Sequence, residues 1–133
     1  RALVDRQKIN HIVASKQPRQ QWFTAEEAEK LVNNGLGIVD WASTSPDGDV
    51  DITFASAGTE PTIETLAALW LVNQSFPGVK FHYVNVVELG RLQKKVGPLN
   101  DDRSLSDEEF DKFFPAGKPV VFGFHGFEDY YPI

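Results

Sequence analysis

The sequence predicts an α/β fold: a three-layer arrangement with a mostly parallel sheet flanked by helices. Three observations carry this. Short β-branched and aromatic runs alternate with helical segments along the chain. Two capping boxes, Thr24-Ala25-Glu26-Glu27 and Ser106-Asp107-Glu108-Glu109, mark helix starts. The apolar runs end at Gly or Pro, which punctuate rather than continue them.

Taken in order, Ile9–Ser15 (INHIVAS) is short, β-branched and bounded by polar residues, which predicts a strand. Pro18 makes Lys16–Gln21 a loop. Thr24 opens a helix that runs to about Asn34 and closes at Gly35. Gly37–Ser43 (GIVDWAS) is the second predicted strand, Pro46–Asp49 a turn, and Asp51–Ala57 the third strand. The clearest helix follows, with Thr59 as its expected N-cap, Pro61 in its first turn and Leu66, Leu69, Trp70 and Val72 on a broad apolar side; Pro77-Gly78 ends it. Val79–Leu89 is a strand in which Phe81, Tyr83 and Val87 alternate with polar positions. Asp107–Phe114 is a short helix, and Pro119–Phe124 (PVVFGF) a buried-type strand leading into His125-Gly126.

Composition narrows the function. The chain has 133 residues, 41% of them hydrophobic and 12% aromatic, enough for one packed core. No apolar run approaches the ~20 residues of a membrane helix. The absence of cysteine excludes disulfides, cysteine zinc sites and thiol catalysis. The chain starts Arg1-Ala2-Leu3 and contains no Met, so a processed chain or a piece of a longer one is expected. Net charge is −6, unevenly spread. Residues 1–20 set Arg1, Arg6, Lys8, Lys16 and Arg19 against Asp5, a balance of +4, leaving −10 on the other 113 residues. The acidic body argues against nucleic acid and anionic membranes as partners.

Chemistry-bearing motifs are sparse. Neither a nucleophile elbow, a P-loop, an H-E-x-x-H pair nor a strand-linked dinucleotide fingerprint is present. Asp47, Asp49 and Asp51 start like a calcium loop, but Ile52 and Gly58 stand where its Gly and Glu belong, so turn chemistry explains them. His11 and His82 fit structural or surface positions. His125 and Lys16 lie just past predicted strands, at the carboxyl ends where open α/β sheets bind ligands. Lys16, beside Gln17 and Arg19, suits a phosphate as a point charge; a solvated loop lysine is the alternative.

Six segments together resemble phosphoketolases: Ile9–Trp22 (INHIVASKQPRQQW), Val39–Ser43 (VDWAS), Asp51–Leu66 with its EPTIETL, Val84–Leu89 (VNVVEL), Leu105–Phe110 (LSDEEF) and Pro119–Phe127 (PVVFGFHGF). The resemblance spans nearly the whole chain in motif order. It implies an enzyme that uses thiamine diphosphate and Mg2+ to cleave xylulose 5-phosphate, and in many members fructose 6-phosphate, with inorganic phosphate, giving acetyl phosphate and an aldose phosphate. It places residues 1–22 at the end of the pyrimidine domain and its linker, and residues 23–133 in a transketolase-type C-terminal domain, incomplete at its C-terminus. It assigns the Lys of the A-x-K-Q-P segment, Lys16, to the substrate phosphate, with Arg19 solvated or at an interface. No catalytic, cofactor-binding or metal-binding residue is implied within the chain, so the piece is expected to be structural and inactive alone. Its expected partner is the rest of the parent chain, in a cytoplasmic homo-oligomer, with neither nucleic acid nor membrane. A stand-alone α/β module binding an anion or nucleotide at the Gly58–Pro61 helix start is the alternative. A small hydrolase lacks a visible nucleophile–base pair.

Overall fold

A computed structural model describes residues 12, 14–93 and 104–126. The described elements are α1 (Ala25–Asn34), β1 (Leu36–Ile38), β2 (Ile52–Ala57), α2 (Thr59–Ser75), β3 (Phe81–Val86), α3 (Asp107–Phe113) and β4 (Val120–Phe124), with short 3-10 turns at Asp40–Ala42 and Leu89–Leu92. The sheet has the order β1-β3-β2-β4. The β2–β3 and β2–β4 pairs are parallel, while β1 runs antiparallel to β3. The mostly parallel α/β sheet expected from the alternating elements is thus present.

Strand periodicity divides the core between the two faces. Phe54, Phe81 and Tyr83 meet Leu66, Leu69 and Val72 of α2 on one side. Ala55, Ala57, Val84 and Val86 meet Leu92, the α3 aromatics Phe110 and Phe113, and the C-cap Phe114 on the other. Two covered faces make the predicted three layers. They also explain β3, whose six residues are all buried, His82 and Asn85 included. The alternation expected there fails because a central parallel strand is covered on both sides.

Both capping boxes form. Thr24 Oγ1 accepts the Glu27 N–H at 3.3 Å while Glu27 Oε2 accepts the Thr24 N–H at 2.7 Å. Ser106 and Glu109 repeat the exchange at 3.2 and 2.9 Å. The backbone N–H of each cap residue, followed by its hydroxyl, holds the partner glutamate below its usual titration range. A carboxylate whose folded value is depressed stabilises the fold above the unfolded value and loses that contribution as pH falls through the folded one. Both helix starts are therefore expected to weaken on acidification below about pH 4. Substituting Glu27→Gln and Glu109→Gln should flatten the acid limb of the stability–pH curve; an unchanged limb would count against the caps.

Three expectations need correction, and a fourth falls largely outside the described residues. The strand at Gly37–Ser43 stops at Ile38. The chain then turns through Asp40–Ala42, and side chains complete the ladder: Ser43 Oγ accepts the Tyr83 N–H at 2.9 Å, and Thr44 Oγ1 accepts that of Phe81 at 2.8 Å. Gly58, not Thr59, is the N-cap of α2, because its φ of +98° turns β2 straight into the helix. Pro119–Phe124 is not a buried strand: β4 lies at the sheet edge among the described residues, with Val120 45% and Val121 52% exposed. The strand over Ile9–Ser15 falls mostly outside the described residues, and Ile12, Ala14 and Ser15 belong to no strand.

Candidate functional site

The parallel strands β2 and β3 end on the same side of the sheet, where Gly58-Thr59 enters α2 and Val86-Val87 leaves β3. Residues 15–23 pass over this end and close a cleft of about 440 Å³. Carboxyl ends of parallel strands are the usual ligand positions of open α/β sheets.

A ring of four buried polar side chains lies beneath the cleft and reaches it through Thr62 and Asn85. Ser56 and Asn85 are register partners on adjacent strands. Tyr83 lies two residues before Asn85 on the same face, and Thr62 comes from the first turn of α2. Ser56 Oγ is 2.6 Å from Tyr83 Oη and 3.1 Å from Thr62 Oγ1. Asn85 Nδ2 donates to Thr62 Oγ1 and to Tyr83 Oη, each at 3.1 Å. Thr62 and Asn85 also line the cleft. Sequence reading missed all four roles, because they depend on strand register. The available signal was three polar residues, Ser56, Tyr83 and Asn85, on a sheet face that is otherwise apolar.

The wall contributes Ser15, Gln17, Arg19 and Trp22. Ser15 Oγ donates to Gln17 O at 3.1 Å, which bends the chain around Lys16. Lys16 itself is exposed and does not line the cleft, although both its neighbours do. The strand end expected just before it is absent from the described residues, so its position rests on this bend. Arg19, expected to be solvated or at an interface, forms an ion pair with Glu60 in the first turn of α2. Both partners are well exposed, so the pair adds little stability. It also leaves a carboxylate at the helix start proposed for anion binding.

His125 is exposed beyond β4 and is not among the cleft residues. His11 lies outside the described residues. His82 does meet a hydroxyl, Thr53 Oγ1 at 3.0 Å, but its Nε2 also lies 2.7 Å from Phe113 O, and both side chains are buried beyond substrate reach. Of the aspartates with calcium-like spacing, Asp49 pairs with Lys118 at 3.2 Å and Asp51 Oδ2 accepts the Lys80 N–H at 2.9 Å. No three His, Asp or Glu groups converge to hold a metal among the described residues. No helix among them is long and apolar enough to cross a membrane. The cleft is a hydrogen-bonding site of amides and hydroxyls beside an aromatic wall, with Arg19 as its charged group.

Known proteins agree with the motif order. The chain is 72% identical over 131 residues to a probable phosphoketolase of Lactococcus lactis subsp. lactis (strain IL1403), covering 97% of this chain and 16% of that protein. It is 58% identical over 123 residues to the xylulose-5-phosphate phosphoketolase of Lactiplantibacillus pentosus, covering 92% and 15%. A probable phosphoketolase of Brucella abortus (strain 2308) is 48% identical over 120 residues, covering 90% and 15%. The chain thus spans about a sixth of the length of these relatives. The family model described as the XFP C-terminal domain matches residues 16–131. With that match covering most of its length, the chain belongs to the phosphoketolase family, as its C-terminal domain.

Proposed function

We propose that this chain is the C-terminal, non-catalytic part of a thiamine-diphosphate-dependent phosphoketolase that cleaves xylulose 5-phosphate, and also fructose 6-phosphate, with inorganic phosphate. The observation that carries this reading is the 72% identity to a probable phosphoketolase over 97% of the chain. The name of the Lactiplantibacillus relative supports the substrate. In this reading residues 1–22 end the preceding domain, the parent enzyme is a cytoplasmic homo-oligomer, and residues 23–133 hold that assembly together.

The described residues do not fit a magnesium diphosphate. They bring no three acidic or histidine ligands together, and the cleft offers amides, hydroxyls and the Arg19 guanidinium, none of them a magnesium ligand set. The cofactor chemistry is accordingly assigned to parts of the enzyme outside this chain. What the chain contributes toward substrate is Lys16, an exposed ammonium on the bend between two cleft residues, free to meet a phosphate presented by the rest of the enzyme.

Two measurements test this. In the full-length enzyme, Lys16→Ala should raise the KM for the sugar phosphate about tenfold or more, as loss of a charge-assisted contact does, with the cofactor still bound. Unchanged kinetics would remove Lys16 from the site. The 133-residue chain alone should show no acetyl phosphate formation from xylulose 5-phosphate and phosphate; turnover would overturn the non-catalytic role.

A further inference from the structure

We propose that Asn34 is a self-modification site, a spontaneous deamidation centre held shut by the C-cap of α1. Asn34-Gly35 is the one Asn-Gly pair in the sequence. The reaction needs no enzyme. Gly35 N loses its proton to solvent base and attacks Asn34 Cγ. The new N–C bond closes a five-membered succinimide as the Cγ–Nδ2 bond breaks, and the nitrogen leaves as ammonia. Water then opens either ring carbonyl, leaving Asp or isoAsp at position 34. Glycine is the least hindered neighbour for this attack, because it has no Cβ.

The exposure of Asn34 gives water and base free access. Two features of the fold oppose the chemistry. Gly35 N, the nucleophile, donates to Leu31 O at 2.8 Å as the αL cap of α1. Asn34 is the last helical residue, and the helical ψ turns its side chain away from the extended geometry that ring closure requires. Both restraints disappear together when the last turn of α1 opens, so the modification rate reports that opening.

The product keeps the lock open. It places a carboxylate at the negative end of the α1 dipole, where the last turn carries no basic residue. The isoAsp form also adds one methylene to the main chain beside Gly35. Gly35 O accepts the N–H groups of Val87 at 2.9 Å and Glu88 at 2.8 Å, just beyond β3, and Val87 lines the cleft. Gly35 has little room to shift, since even a Cβ there would lie 2.6 Å from Arg91 Cγ. Modification is one-way because ammonia is lost, and the Gly35 carbonyl transmits it to the cleft wall.

The test incubates the full-length protein at mildly alkaline pH, folded and in urea, and follows residue 34 by peptide mapping and isoaspartyl methyltransferase labelling. The unfolded protein should modify at least about tenfold faster than the folded one. Thr24→Ala, which removes the N-cap of α1, should raise the folded rate about fivefold. Protein enriched in isoAsp34 should show faster hydrogen exchange at the Val87 and Glu88 amides. Equal folded and unfolded rates would overturn the lock, absence of modification even in urea would overturn the site, and unchanged exchange at Val87 and Glu88 would overturn its link to the cleft.

Discussion

Replacing Tyr83 with alanine should destabilise the chain by about 3–5 kcal/mol, the range for emptying a fully buried aromatic site. Tyr83 has no exposed surface and is the largest fully buried side chain among the described residues. Its ring packs under α2, and its hydroxyl closes the ring formed with Ser56, Thr62 and Asn85. Alanine therefore opens a cavity, takes from the Ser56 hydroxyl one of its two partners and removes an acceptor from Asn85 Nδ2. Domains of this size are stable by roughly 5–15 kcal/mol, so the loss is a large share of the total. The measurement is denaturant unfolding, with a lower midpoint at an unchanged slope.

Tyr83→Phe isolates the polar part of that loss. The cavity stays filled and only the hydroxyl goes, so the expected cost is about 1–2 kcal/mol for opening the ring. Coupling between Tyr83→Phe and Asn85→Leu should be clear in a double-mutant cycle, because they share one hydrogen bond. A neutral Tyr83→Phe would mean that the ring is incidental to the floor of the cleft.

Local chemistry was the most legible part of the sequence. The starts of α1 and α3 could be placed because Thr24–Glu27 and Ser106–Glu109 satisfy one another within four residues. The start of α2 moved by one residue because Gly58 caps through its backbone angle, with no capping side chain to read. The exposure of β4 was hidden, because an apolar run does not state whether its strand is central or at an edge. The break after Ile38 was hidden for a related reason: Ser43 and Thr44 replace main-chain partners only once β3 lies alongside. The site divides in the same way. Family membership was carried by contiguous motifs, Lys16 among them. The polar ring spans Ser56 to Asn85 and exists only through the β2–β3 register and the Gly58 turn. The cleft wall likewise depends on residues 15–23 passing over the strand ends.

The second large effect is expected on the opposite face of the sheet. His82 is 2% exposed, and its Nε2 lies 2.7 Å from Phe113 O and 3.0 Å from Thr53 Oγ1. Phe113 is the last residue of α3, so its carbonyl is among those a helix end leaves without an internal partner. At seven residues, α3 is too short to persist without tertiary contacts. Substituting His82→Leu keeps the site filled but leaves that carbonyl and the Thr53 hydroxyl buried without this partner. At about 1–3 kcal/mol for each orphaned group, the expected loss is about 2–5 kcal/mol. The α3 amides should exchange faster than those of α1, since the damage falls on one helix end. His82→Gln retains an amide donor and should recover part of the loss. His82 and Tyr83 are adjacent in sequence but point to opposite faces, toward α3 and α2 respectively. The milder pair, His82→Gln and Tyr83→Phe, should therefore add to within about 0.5 kcal/mol, as independent sites do. A larger coupling would mean that β3 transmits strain between its two faces, and that the polar ring and the anchor of α3 act as one unit.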